Sequence, residues 1–347
     1  MDNTATINNK NTMWLAVLGV SLFSGIFIFK NTSYFNVNSE TLNGFATVFV
    51  SMVLEAMPFI IMGSLVSSLI QIFITEDLIC KIIPKNIFLG TIAASIVGLF
   101  FPICECTIVP ISRSLIKKGV PMSIATTFML AVPIVNPVVL VSTYYAFLGD
   151  TYMVFIRAFI GIVVSIVIGL LVGKLYKEDP IKSRNSYHNN DCNCVNCNSS
   201  KYDSQNKISR IINSTSYEFY NIGRFFIVGA FLSSIMQSFV PRASIASIGK
   251  GELSSIIIMM IIAFMLSICS ETDAFIARTF LGQFTIGSIV VFLILGPMLD
   301  IKNTIMIFGN FKKTYAIWLI ALVISICFIV AVVCNLVNLI LISYFIN

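Results

Sequence analysis

Nine apolar runs, each long enough to cross the ~30 Å hydrocarbon layer of a bilayer, recur along this chain at 14–29, 44–73, 87–110, 121–148, 152–171, 219–240, 253–268, 284–299 and 315–345. No soluble core needs so many. With 57% hydrophobic and 11% charged residues and a mean hydropathy of +0.92, against about 25% charged in a soluble domain, the 347 residues describe an all-α polytopic membrane protein with seven to nine passages. The net charge of +6 lies mostly in short connections, where Lys and Arg set orientation, so it implies a lipid bilayer and no nucleic-acid partner. Residues 2–10 lack a basic n-region and a small-residue cleavage site, so 14–29 is expected to be a retained helix.

Several runs are interrupted by chemistry that hydrocarbon does not tolerate. Between two prolines, Phe101-Pro102-Ile103-Cys104-Glu105-Cys106-Thr107-Ile108-Val109-Pro110 sets two thiols around a carboxylate. Such groups at membrane depth need a protein interior, a partner or water, and so mark function. If 87–110 crossed once, the basic links holding Lys81 and Lys85 on one side and Arg113, Lys117 and Lys118 on the other would face opposite compartments. A re-entrant hairpin around Pro102–Cys106 keeps both on one side. In Ala131-Val132-Pro133-Ile134-Val135-Asn136-Pro137 two prolines flank an amide, predicting an unwound segment that frees carbonyls and Asn136 for a ligand. Glu55 sits beside Pro58 inside 44–73, as a polar point of the bundle or an interfacial charge.

The pattern returns about 165 residues later. Ile103-Cys104-Glu105 is echoed by Ile268-Cys269-Ser270-Glu271, Gly63 by Gly229, and Pro133-Ile134-Val135-Asn136 by Met298-Leu299-Asp300-Ile301, with Pro297 and Asn303 beside it. Three matches at nearly one offset predict an internal duplication. With three crossings and one hairpin per half, the second repeat is inverted, and interrupted helices in corresponding positions point to a central transport site. The expected organisation is 1–43 as N-terminal helix and link, 44–173 as membrane repeat 1, 174–218 as a cytoplasmic loop and 219–347 as membrane repeat 2. The loop assignment follows from seven basic against four acidic residues over 174–210.

That loop carries Cys192, Cys194 and Cys197, whose spacing suits one soft metal ion, with His188 or Asp191 as a fourth ligand; the alternative is a linker with incidental thiols. Cys80, Cys327 and Cys334 read as apolar helix residues. Asp300 and Lys302, at the end of a run, are either part of the site or an exposed interfacial pair.

The stretches around Glu55, Cys104–Cys106, 131–137, Cys269-Ser270-Glu271-Thr272-Asp273 and 296–303 resemble the predicted permease family of the YraQ/YcgR/ArsP type, most closely its YcgR branch, over nearly all of 44–345. The resemblance implies a multi-pass inner-membrane permease, in some members linked to efflux of trivalent organoarsenicals, copper or zinc, with a second membrane subunit common in the YcgR branch. Many relatives carry Cys-Ser-Cys where this chain has Cys104-Glu105-Cys106, and the carboxylate suits a divalent cation or a coupling proton better than a neutral arsenical.

The resulting expectation is secondary-type efflux of a soft, thiol-seeking solute, without catalysis. Cys104, Cys106 and Cys269 would be metal-ligating thiolates. Glu105, Glu271 and Asp273 would bind a cation or carry a proton, with Ser270 and Glu55 at the same site. Pro133, Asn136, Pro137, Pro297, Asp300 and Asn303 would shape the broken helices. No Walker-type phosphate loop is present. Two rivals are a membrane thiol–disulfide protein using Cys104 and Cys106, and a non-transporting subunit of a permease complex.

Overall fold

The structure is a computed structural model describing residues 39–73, 84, 86–100, 104–176, 180–181, 207–239 and 251–346. Apolar sequence in a low-dielectric surrounding must satisfy its backbone locally, and the described residues form helices throughout. The first six are α1 (Ser39–Phe73), α2 (Ile87–Val97), α3 (Glu105–Lys117), α4 (Met122–Val135), α5 (Pro137–Ala146) and α6 (Thr151–Leu175). The next six repeat the order: α7 (Lys207–Phe239), α8 (Glu252–Leu266), α9 (Asp273–Thr279), α10 (Ile286–Met298), α11 (Ile301–Asn310) and α12 (Lys313–Ile346). Each half thus has a long helix, a pair of short ones, a broken helix and another long helix.

Among the described residues six stretches are long and apolar enough to cross a membrane: Leu42–Phe73, Met122–Ala146, Thr151–Leu175, Ile211–Ser238, Ile286–Asn310 and Lys313–Val337, three in each half. The expected seven to nine were counted over the whole chain. The run 14–29 lies outside the described residues, and the runs 87–110 and 253–268 hold only short helices of 11 and 15 residues. Conversely, the run ending at 299 continues past a break to Asn310.

The short pairs are hairpins. Gly90 and Gly98 of α2 lie against Ile124 and against Val132 and Val135 of α4, so these two helices run in parallel. A turn through Gly119, at φ +90° where a side chain would be strained, returns α3 antiparallel to α4. Hence α2 and α3 oppose each other. In the second half, Ser255 Oγ lies 2.7 Å from Ser288 Oγ, and the Ile301 amide donates to Ser267 Oγ at 3.0 Å, so α8 runs parallel to α10. Ser267 turns the chain there in the left-handed region, at φ +46°.

The halves interlock as a two-fold arrangement demands. α1 packs on α7, α4 on α10 and α6 on α12, while α3 of the first half touches α11 of the second and α9 of the second touches α5 of the first. Side chains repeat the relation. Arg113 donates to Asn310 Oδ1 at 3.4 Å, and the corresponding Arg278 donates to the Ala146 carbonyl at 2.7 Å. Ser67 and Ser68 on α1 match Ser233 and Ser234 on α7, all four buried.

Close approach depends on the two glycines matched in sequence. Gly63 abuts the Thr107 side chain, and a Cβ on Gly229 would sit 2.8 Å from the Lys302 Cα. That neighbour is backbone and cannot turn aside. Gly229→Ala is therefore expected to destabilise the protein by about 1–3 kcal/mol through forced displacement of α11, read as a lower melting temperature in detergent, whereas Gly223→Ala, with open space around it, should change little.

Candidate functional site

The site forms where the N-terminal ends of α3 and α11, from opposite halves, meet. The α3 end is made by Cys104, in extended backbone at φ −80° and ψ 164°, and Glu105, the first helical residue. A carboxylate there complements the helix dipole. Glu105 is buried to 1% exposure, and its Oε1 lies 3.4 Å from Lys302 Nζ. The same ammonium reaches Asp300 Oδ2 at 3.6 Å. Lys302, from the first turn of α11, thus bridges two buried carboxylates on different halves. Asp300 and Lys302 are not an exposed interfacial pair: both are buried.

Asp300 also caps α11, its Oδ1 accepting from the Asn303 amide at 2.6 Å, while Asn303 Nδ2 donates to the Met298 carbonyl at 3.1 Å. Glu105 Oε2, Asp300 Oδ2 and Asn303 Oδ1 are buried without a hydrogen-bond partner. The break in the first half is built the same way. Asn136, at φ −50° and ψ 130°, ends α4 and caps α5 by accepting from the Val138 amide at 3.0 Å, with Pro137 opening α5. Pro133 and Pro297 lie inside α4 and α10, one turn before the interruptions. The caps pair Asn136 with Asp300, one residue from the register read in the sequence.

The thiols converge on this centre. Cys104 and Cys106 are buried, and Cys104 Sγ lies 3.9 Å from Thr107 Oγ1. Cys269 lies two residues after Ser267, which accepts from the Ile301 amide at the start of α11. Its Sγ is 3.9 Å from Glu271 Oε2, and ligand atoms of Glu55, Cys269 and Glu271 all lie within 4.8 Å of one another. Cys104-Glu105-Cys106, through Lys302, and Cys269-Ser270-Glu271, through Ser267, thus both approach the start of α11. Cys327 is buried in the apolar core and Cys334 packs against it.

Asp273, the first residue of α9, has both oxygens taken by Arg157 of α6, at 2.8 and 2.7 Å. Arg157 also donates to Thr143 Oγ1 at 2.9 Å and to the Ser270 carbonyl at 3.2 Å. The hairpin end in one half is thereby fixed to the long helix and broken helix of the other. Ser142 donates to the Glu271 carbonyl at the same junction. Lys302 and Arg157 are the partners that a search for acids and thiols overlooks; a single arginine inside the apolar run 152–171 is the signal that finds one of them. Pro102, His188, Asp191, Cys192, Cys194 and Cys197 lie outside the described residues.

Comparison with known proteins finds relatives over most of the chain. The ArsP_1 family model, described as a predicted permease, matches residues 41–336. The UPF0718 protein YcgR of Bacillus subtilis (strain 168) is 38% identical over 280 residues, covering 81% of this chain and 93% of the relative. A putative two-component membrane permease complex subunit of Streptococcus mutans serotype c is 36% identical over 292 residues, 82% of this chain and 94% of the relative. The UPF0718 protein YraQ of Escherichia coli (strain K12) is 28% identical over 120 residues, 35% of this chain and 34% of the relative. No solved structure matches.

Proposed function

Since the chain belongs to the predicted permease family and is a multi-pass protein of the inner membrane, we propose that it exports a soft, thiol-seeking solute by a secondary-type mechanism, with Cys104, Cys106 and Cys269 as the thiolate ligands. The observation that carries this reading is the approach of the Cys104–Cys106 and Cys269–Glu271 stretches, from opposite halves, to the start of α11, where Glu105 and Lys302 supply charge. Thiolates select soft metal ions and trivalent arsenicals over hard cations. The α2–α3 and α8–α9 pairs act as re-entrant hairpins, and the three spans per half invert the second repeat relative to the first.

Within this reading Asp273 is a strut and not a ligand, because Arg157 occupies both its oxygens. The Streptococcus mutans relative is named a subunit of a two-component complex, and this chain too would work beside a second membrane subunit. The test is flux of a trivalent arsenical and of Cd2+ into everted vesicles. Cys104→Ser and Cys106→Ser are expected to lower flux at least tenfold at unchanged protein level. Flux equal to wild type in both variants would remove the thiols from the path.

A further inference from the structure

Glu55 is exposed well inside the span Leu42–Phe73. At 1.5 Å per residue it lies about 20 Å along the axis from one end and about 27 Å from the other. A carboxylate at that depth is not stable against lipid tails; it needs water or a protein partner. Its neighbours are chemical and not merely polar. Cys269 and Glu271, both partly exposed, bring one sulfur and two carboxylates within 4.8 Å, and Thr272 Oγ1 donates to Glu55 Oε1 at 3.5 Å. Ser270, between Cys269 and Glu271, is buried with its Oγ unpartnered.

We propose that Glu55, Cys269 and Glu271 form a loading site for a borderline divalent cation of the Zn2+ or Cd2+ class, opening onto a water-filled vestibule at mid-membrane depth. One thiolate and two carboxylates supply three negative charges around a dication, a donor set that suits these ions. A neutral trivalent arsenical gains nothing from the carboxylates. Cys269 belongs to this half-open group and lies two residues after Ser267, whose hydroxyl meets the start of α11 beside Lys302, so the ion passes from a mixed oxygen–sulfur site to the buried thiols of the proposed path. The inference rests on the permease reading for its purpose and not for its test.

The experiment uses the full chain in lipid nanodiscs, a permanently charged methanethiosulfonate as thiol probe, and mass spectrometry of the peptide holding Cys269, with Cd2+ as the metal. Cys269 is expected to react at least tenfold faster than Cys327, and Cd2+ to protect it. In Glu55→Gln and Glu271→Gln, with each rate referred to that variant's own reaction without metal, half-protection should need at least tenfold more Cd2+. Protection by phenylarsine oxide should be unmoved by either substitution. Cys269 as slow as Cys327, absence of Cd2+ protection, or equal protection in the glutamine variants would each overturn the proposal. Since no flux is measured, protection kept together with absent transport would count against the permease reading alone.

Discussion

Replacing Lys302 by methionine is expected to cost about 3–5 kcal/mol, because it strips the shared counter-ion from two buried carboxylates and leaves both Glu105 and Asp300 uncompensated. The measurement is thermal unfolding in detergent beside the amount of chain recovered from membranes. Adding Glu105→Gln to Lys302→Met should restore part of the loss, since one of the two orphaned charges is then removed. Additive losses in the double variant would mean that the two side chains do not act on each other, contrary to the 3.4 Å contact. Flux should fall in both variants, because the charge at the centre is altered in each.

Arg157→Met is expected to have an effect of the same size, about 3–5 kcal/mol, for a tighter pair: two short hydrogen bonds to Asp273 and two more to Thr143 and Ser270 end on one guanidinium with no exposed side chain. Here Arg157→Lys should rescue poorly. A lysine ammonium cannot reproduce the planar fork that meets both carboxylate oxygens. A melting temperature for Arg157→Lys within a degree or two of wild type would show that charge alone matters, and the hairpin end would not depend on bidentate geometry.

Much of this arrangement was legible because hydrocarbon makes certain residues conspicuous. Cys104, Glu105, Cys269, Asn136 and Asp300 interrupt apolar runs, and their spacing suggested an internal repeat; the helices of the two halves follow one order. The break at Asn136-Pro137 followed from the restriction proline places on its predecessor. Less legible was Lys302. It stands just after an apolar run that by composition stops at 299, where a charge is ordinary; only the continuation of the span to Asn310 puts it in the interior. Arg157 was hidden for a different reason. Its partner is remote in sequence, and no periodicity links 157 to 273. The sequence puts Glu55 with Cys269 and Glu271 as one of two readings, and their distance is what separates it from an interfacial charge.

The crossing-over of α3 with α11 and of α5 with α9 bears on what kind of unit each half is. Although the two halves share one order of helices, neither is a domain in the sense of a piece that closes its own interior. A chain ending after α6 would keep Glu105 without Lys302 and Arg157 without Asp273, two buried charges of opposite sign that have lost their counterparts. The two halves are therefore bound to stay together, because each carries a buried charge whose counterpart lies in the other.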